Sequence, residues 1–251
     1  MRTRGAPAAA RISPEEFRWR FGWTTFIIGV LAGVFFLAYP QFDLLISQQF
    51  HTADGRFSGQ QNAAVKIARW AFIILFFSSL GVALCGMMLA QRQKRWFGLS
   101  ARRWMFLALC LVVGPGLVAN LSLKDQLGRA RPKHVVEFGG EKIFTPPLIV
   151  SRECRRGCSF VSGEASSIFA VFYAAAFAIP QWSILFVVLG TVGGLAAGAI
   201  RISQGAHFLS DVAFAGVFMA LTVHALYELI FGQPRIRSAI ATAWQFTRLR
   251  A

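Results

Sequence analysis

The chain has 251 residues, 55% of them hydrophobic and only 15% charged, with a mean hydropathy of +0.53. A soluble domain carries about a quarter charged residues, so an ordinary cytosolic fold and a disordered chain are both excluded and the chain is assigned to a bilayer. Lys and Arg number 26 against 11 Asp and Glu, an excess that points to anionic lipid headgroups or phosphate as partners and not to nucleic acid, which is hard to reach from within a membrane.

At the N-terminus, Ser13-Pro14-Glu15-Glu16 reads as a helix cap followed by proline at the first helical position. Phe17, Trp19 and Phe21 interleave with Arg18 and Arg20, so residues 1–22 are expected to form a basic segment at the headgroups. About 20 apolar helical residues cross the hydrocarbon core, and residues 21–42, 70–91 and 104–123 are free of charge. The first of these exceeds the apolar region of a signal peptide and lacks a clear cleavage site, so it reads as a retained anchor. Residues 165–200 are also uncharged but too long for one crossing, and Pro180-Gln181 divides them into two helices. A sixth span covers about residues 212–231. The reading is all-α: one integral membrane bundle of six transmembrane helices, a single domain over residues 1–251.

Six spans put both termini on one side, with 14 Lys and Arg there against 12 on the other. Three of the 12 are assigned to phosphate below, and the first inner segments hold five each against three in the first outer connection. Both termini are therefore expected to be cytoplasmic, with residues 122–164 and 201–211 on the outer face. Cys85 and Cys110 lie inside apolar spans as small buried hydrophobes. Cys154 and Cys158 flank Arg155-Arg156-Gly157 in the outer loop, where an oxidising compartment would allow a disulfide. A metal-binding pair is the weaker reading, because no second Cys pair accompanies it.

Ionisable residues at membrane depth mark functional sites, and Lys124, Arg131, Glu164, Arg201, His207 and Asp211 all fall at outer ends of spans. Three cations together repel one another unless an anion of high charge joins them, and phosphate meets that demand. Arg offers a planar fork, Lys a point charge, and Ser162 with the backbone N–H groups around Gly163 can donate at the start of the fourth helix. His207 and Asp211 stand four apart, on one helical face. A carboxylate accepting one ring N–H leaves the other nitrogen unprotonated, as a nucleophilic or basic imidazole requires. The three cations argue against a divalent metal, and no cofactor is expected.

These residues resemble a family. Lys124-Asp-Gln-Leu-Gly-Arg-Ala-Arg131-Pro132 matches K-x6-R-P, Ser162-Gly163 matches the core of P-S-G-H, and Arg201-x5-His207-x3-Asp211 matches the end of S-R-x5-H-x3-D. The tripartite pattern is similar to that of the type 2 phosphatidic acid phosphatases, membrane enzymes with a six-helix core. The resemblance implies that His207 attacks phosphorus to give a phosphohistidine and that Asp211 supports its imidazole. It implies also that Lys124, Arg131, Ser162, Gly163 and Arg201 hold the phosphoryl oxygens, with no metal needed.

Three positions depart from the pattern: Val161 replaces Pro, Ile200 replaces Ser, and Glu164 stands where the family has a second His, the acid that protonates the leaving oxygen. A Glu donates only when protonated, and neighbouring Lys and Arg oppose that. His134 is the other candidate donor. The expected function is that of a bacterial-type lipid phosphatase of the inner membrane with its site facing the periplasm, acting on a phosphorylated membrane lipid. The lipid A 1-phosphatases resemble the chain in size, in six spans and in outer-face chemistry, so removal of the lipid A 1-phosphate is the expected reaction. Undecaprenyl pyrophosphate and phosphatidylglycerophosphate are alternative substrates, and an anion channel or a non-catalytic phospholipid receptor are alternative classes.

Overall fold

The structure is a computed structural model describing residues 13–92 and 96–232; the basic residues 1–12 and the C-terminal 233–251 lie outside the described residues. Helix α1 (Pro14–Ala38) starts where the sequence signals it, with Ser13 Oγ accepting from the Glu16 N–H at 3.1 Å and Pro14 in the first turn. It stops before Pro40, and a short helix, α2 (Gln41–Gln48), follows. Helix α3 (Ala63–Gln91) is capped by Asn62, whose Oδ1 accepts from the Val65 N–H at 3.2 Å. Both α1 and α3 begin earlier than the charge-free stretches, and their charged residues find partners: Arg18 lies 3.3 Å from Glu228 and Arg20 lies 2.7 Å from Glu16 in α1, and Arg69 of α3 lies 2.8 Å from Glu164.

Helix α4 (Ala101–Val112) continues into wider π-type turns over Val113–Lys124 and a last turn, α5 (Asp125–Leu127). The change begins at Gly114-Pro115, where proline supplies no N–H. The Asn120 amide donates to the Pro115 carbonyl at 2.7 Å, and Asn120 Oδ1 accepts from Lys124 Nζ at 3.2 Å. Gly128, at φ +58°, then turns the chain so that Arg129 and Arg131 enter the interior.

Three helices follow: α6 (Gly163–Ala178), α7 (Ser183–Ser203) and α8 (Leu209–Phe231). The break between α6 and α7 falls at Pro180, as the sequence indicates. Among the described residues, five helices are long and apolar enough to cross a membrane, and α6 is not one of them. Its 16 residues rise about 24 Å at 1.5 Å each, short of a hydrocarbon core of about 30 Å. The reason is its position. It is the inner helix, touching α3, α4, α7 and α8, and Ala165, Ile168, Phe169, Ala174 and Phe177 bury its sides. At Gly194 of α7 a Cβ would stand 2.5 Å from the Phe169 ring, so glycine is what lets α7 pack this closely. The outer faces of α1, α3 and α7 carry exposed Leu31, Val34, Ile74, Phe77, Val188 and Val192, an apolar girdle suited to acyl chains.

Candidate active site

One end of the bundle gathers residues from four separate segments. The π-type turns deliver Lys124, the loop after Gly128 delivers Arg131, the start of α6 delivers Gly163 and Glu164, and the end of α7 delivers Arg201. These five and His207 line one cavity of about 620 Å³. Gly163 matters for closeness, since a Cβ there would lie 3.0 Å from Asn120 Oδ1 and 3.4 Å from Lys124 Nζ. Ser162 is fully buried at the start of α6. Its hydroxyl and the Arg201 Nε are buried donors without a hydrogen-bond acceptor, the arrangement an oxyanion would complete. Away from this polar end the cavity continues between α3 and α4 along Phe72, Phe76, Leu80 and Leu111.

His207 sits in the turn between α7 and α8, 2% exposed. Its Nδ1 donates to the Ser159 carbonyl at 2.6 Å, which leaves Nε2 as the nitrogen with a free electron pair. The Asp211 carboxylate expected to accept that N–H is instead 3.7 Å from Nδ1, within electrostatic reach but not hydrogen bonded. Asp211 Oδ2 accepts from the Ser159 hydroxyl at 2.5 Å and the Phe208 N–H at 2.8 Å, so aspartate fixes the segment that holds the ring. Burial, reinforced by Lys124 and Arg201 and opposed by Asp211, lowers the His207 imidazole from 6.5 to about 4. The ring is neutral at physiological pH.

Behind it lies a charge network that the motifs did not reveal. Arg129, 1% exposed, donates through Nη1 to Asp211 Oδ1 at 2.5 Å and through Nη2 to Asp43 Oδ2 at 2.8 Å. Asp43 is a residue of α2, and its Oδ1 also accepts from the Ser210 N–H at 2.8 Å. The guanidinium lies against the Phe208 ring, 4.3 Å from its centroid. Arg129 stands inside the K-x6-R-P segment, two residues before Arg131, so its place in the sequence was the available signal.

Glu164 faces Arg69 of α3, another residue the motif reading missed. Arg69 Nη2 donates to Oε1 at 2.8 Å and its Nε to Oε2 at 3.1 Å, while Arg201 Nε is 3.6 Å from Oε1. Both carboxylate oxygens are thus engaged as acceptors by a cation, which favours the ionised form of Glu164 and opposes proton donation from it. His134 is absent from the cavity lining. Cys154 and Cys158 are disulfide-bonded, Cα–Cα 5.5 Å, and the loop they close presents the Gly157 carbonyl to Arg131 Nε at 2.9 Å.

The family model of the PAP2 superfamily matches residues 103–235, which include all of these motif residues and the histidine–aspartate pair. The chain belongs to the PAP2 superfamily. Among PAP2 and related proteins, the chain is 34% identical over 210 residues to a lipid A 4'-phosphatase of Francisella tularensis subsp. novicida, covering 82% of this chain and 93% of that protein. It is 30% identical over 215 residues to a lipid A 4'-phosphatase of Rhizobium leguminosarum, covering 79% and 91%. A lipid A 1-phosphatase of Rhizobium etli is 38% identical over 126 residues, 48% of this chain and 50% of that protein. No solved structure matches the chain.

Proposed function

We propose that this PAP2 protein is a lipid A phosphatase that hydrolyses a phosphomonoester of the lipid headgroup through a phosphohistidine on His207. The observation that carries the reading is the cavity itself: a cationic end beside a neutral imidazole, continuous with an apolar groove between α3 and α4. That is the shape of an amphiphile with a terminal phosphate. His207 Nε2 forms the bond to phosphorus as the ester P–O bond breaks, and water then cleaves the P–N bond. Lys124, Arg131, Arg201, Ser162 and the backbone at Gly163 stabilise the equatorial oxygens, and the place of Arg69 in the cavity lining supports the same role for it. The phosphate competes with Glu164 for Arg69 and Arg201. Released beside a dianion, the carboxyl takes up a proton and passes it to the leaving oxygen.

The single domain crosses the bilayer six times in this reading, α6 included, with cytoplasmic termini and the site opening to the periplasm of a bacterial inner membrane. The relatives matched along most of both chains carry the 4'-phosphatase name, which favours the 4'-phosphate over the 1-phosphate that the sequence reading placed first. The 1-phosphate is the second reading. It is favoured by the doubly paired Glu164, because an anomeric leaving group needs less help from an acid.

Purified protein in detergent micelles should release one phosphate from lipid A, at a rate unaffected by EDTA. The remaining phosphate should leave on mild acid hydrolysis, as a glycosidic 1-phosphate does; an acid-stable remainder selects the second reading. Intact lipid A after prolonged incubation, or loss on EDTA with rescue by a divalent ion, would refute the proposal.

A further inference from the structure

Beside the catalytic cavity lies another, of about 470 Å³, whose lining includes Lys66, Arg69, Arg131, Lys133 and Arg201 and no acidic residue. Arg69, Arg131 and Arg201 line both cavities, so the two are contiguous; Lys66 and Lys133 line only the second. Burial, Arg131 and Arg201 all push the Lys133 ammonium below its ordinary value, a sign of cations crowded against one another. Their charge exceeds what one substrate phosphate can balance. With Lys124 on the catalytic side the two cavities hold six cations; Glu164, while ionised, offsets one, and a phosphomonoester dianion in the catalytic cavity offsets two more, so at least three remain, two of them Lys66 and Lys133, which line only the second cavity.

We propose that this second cavity is a subsite for a further phosphoryl group carried on the same lipid headgroup, making the enzyme selective for lipids with two phosphates over lipids with one. The inference rests on the reading of the first cavity as the hydrolytic site. Arg69, Arg131 and Arg201 form the wall between the two anions, and their repulsion in the free protein is relieved in steps as each anion binds. Lys66 on α3 and Lys133 after the K-x6-R-P motif hold the distal group. Gln204 closes the floor, its Oε1 accepting from Arg201 Nη1 at 2.5 Å and its carbonyl from Gln60 Nε2 at 3.4 Å.

The test compares kcat/KM for lipid A with that for a monophosphoryl lipid A retaining the scissile phosphate, in wild type and in the Lys66→Gln/Lys133→Gln variant. Wild type should favour the two-phosphate lipid by about tenfold or more, and the variant should lose most of that ratio, chiefly through KM; Lys133→Glu should lower it further. An unchanged ratio, or an equal fall on both lipids from weaker attraction to the micelle surface, would overturn the subsite. So would inorganic phosphate altering turnover of the monophosphoryl lipid in wild type but not in the variant, since the cavity would then serve free phosphate. Equilibrium binding of both lipids separates this inference from the one beneath it. No turnover by wild type, with a lysine-dependent binding preference for two phosphates, would sink the phosphatase reading and leave the subsite standing; turnover without that preference would do the reverse.

Discussion

His207 is held by its surroundings in the form a nucleophile needs. Buried against the Ser159 carbonyl, it loses hydration that stabilises the charged ring far more than the neutral one, so its protonation is displaced from 6.5 to about 4. The sign follows: the folded chain keeps the ring neutral where an unfolded chain binds a proton, so this contribution to stability falls as pH drops from 6.5 towards 4. Modification of His207 by diethylpyrocarbonate reads the neutral ring without interference from substrate ionisation. Its rate should stay near maximal well below pH 6.5 and decline around pH 4; a midpoint near 6.5 would contradict the burial argument. Glu164 offers a second test at this scale. Glu164→Gln should slow hydrolysis of a simple alkyl phosphate about tenfold more than that of an aryl phosphate, since proton donation matters most for the more basic leaving oxygen. Equal losses would leave Glu164 only the role of holding Arg69 and Arg201.

Among the elements, α2 stands out because it crosses no membrane yet places Asp43 under the catalytic turn. Arg129 joins it to the start of α8, so the connection between α1 and α3, the loop before α6 and the first turn of α8 meet at one guanidinium. Removing one member of a buried charge network costs about 3–5 kcal/mol, because its partners remain buried without compensation. Arg129→Met should therefore lower thermal stability in detergent sharply and abolish turnover. Adding Asp43→Leu should recover part of the stability, with a coupling of about 2 kcal/mol in a double-mutant cycle. Strict additivity would show that the two side chains act independently. The disulfide loop does a smaller job of the same kind, holding the Gly157 carbonyl against Arg131.

For the molecule as a whole, the sequence made legible whatever depends on local pattern. Runs without charge located the long helices, Pro180 located the break between α6 and α7, and fixed spacing located six residues of the cavity lining, Lys124, Arg131, Gly163, Glu164, Arg201 and His207, while Ser162 and Asp211 lie outside that lining. The division at Pro180 already left α6 short, but the sequence did not show that α6 is the inner helix, because that burial comes from its neighbours α3, α4, α7 and α8. Arg69 and Asp43 were missed for a related reason. Each finds its partner across long sequence separation, 95 residues from Arg69 to Glu164 and 86 from Asp43 to Arg129, and no short-range pattern encodes such a meeting.

The central claim is that a neutral histidine, held by the Ser159 carbonyl and facing cations, takes the phosphoryl group itself. Rapid quenching of the protein during turnover of lipid A, under conditions that preserve the P–N bond, followed by peptide mass spectrometry, tests it most directly. The account predicts a phosphoryl group on the peptide containing His207, absent in His207→Ala, which should also lose turnover almost completely. Turnover at the wild-type rate by His207→Ala, with no phosphorylated histidine peptide, would contradict it.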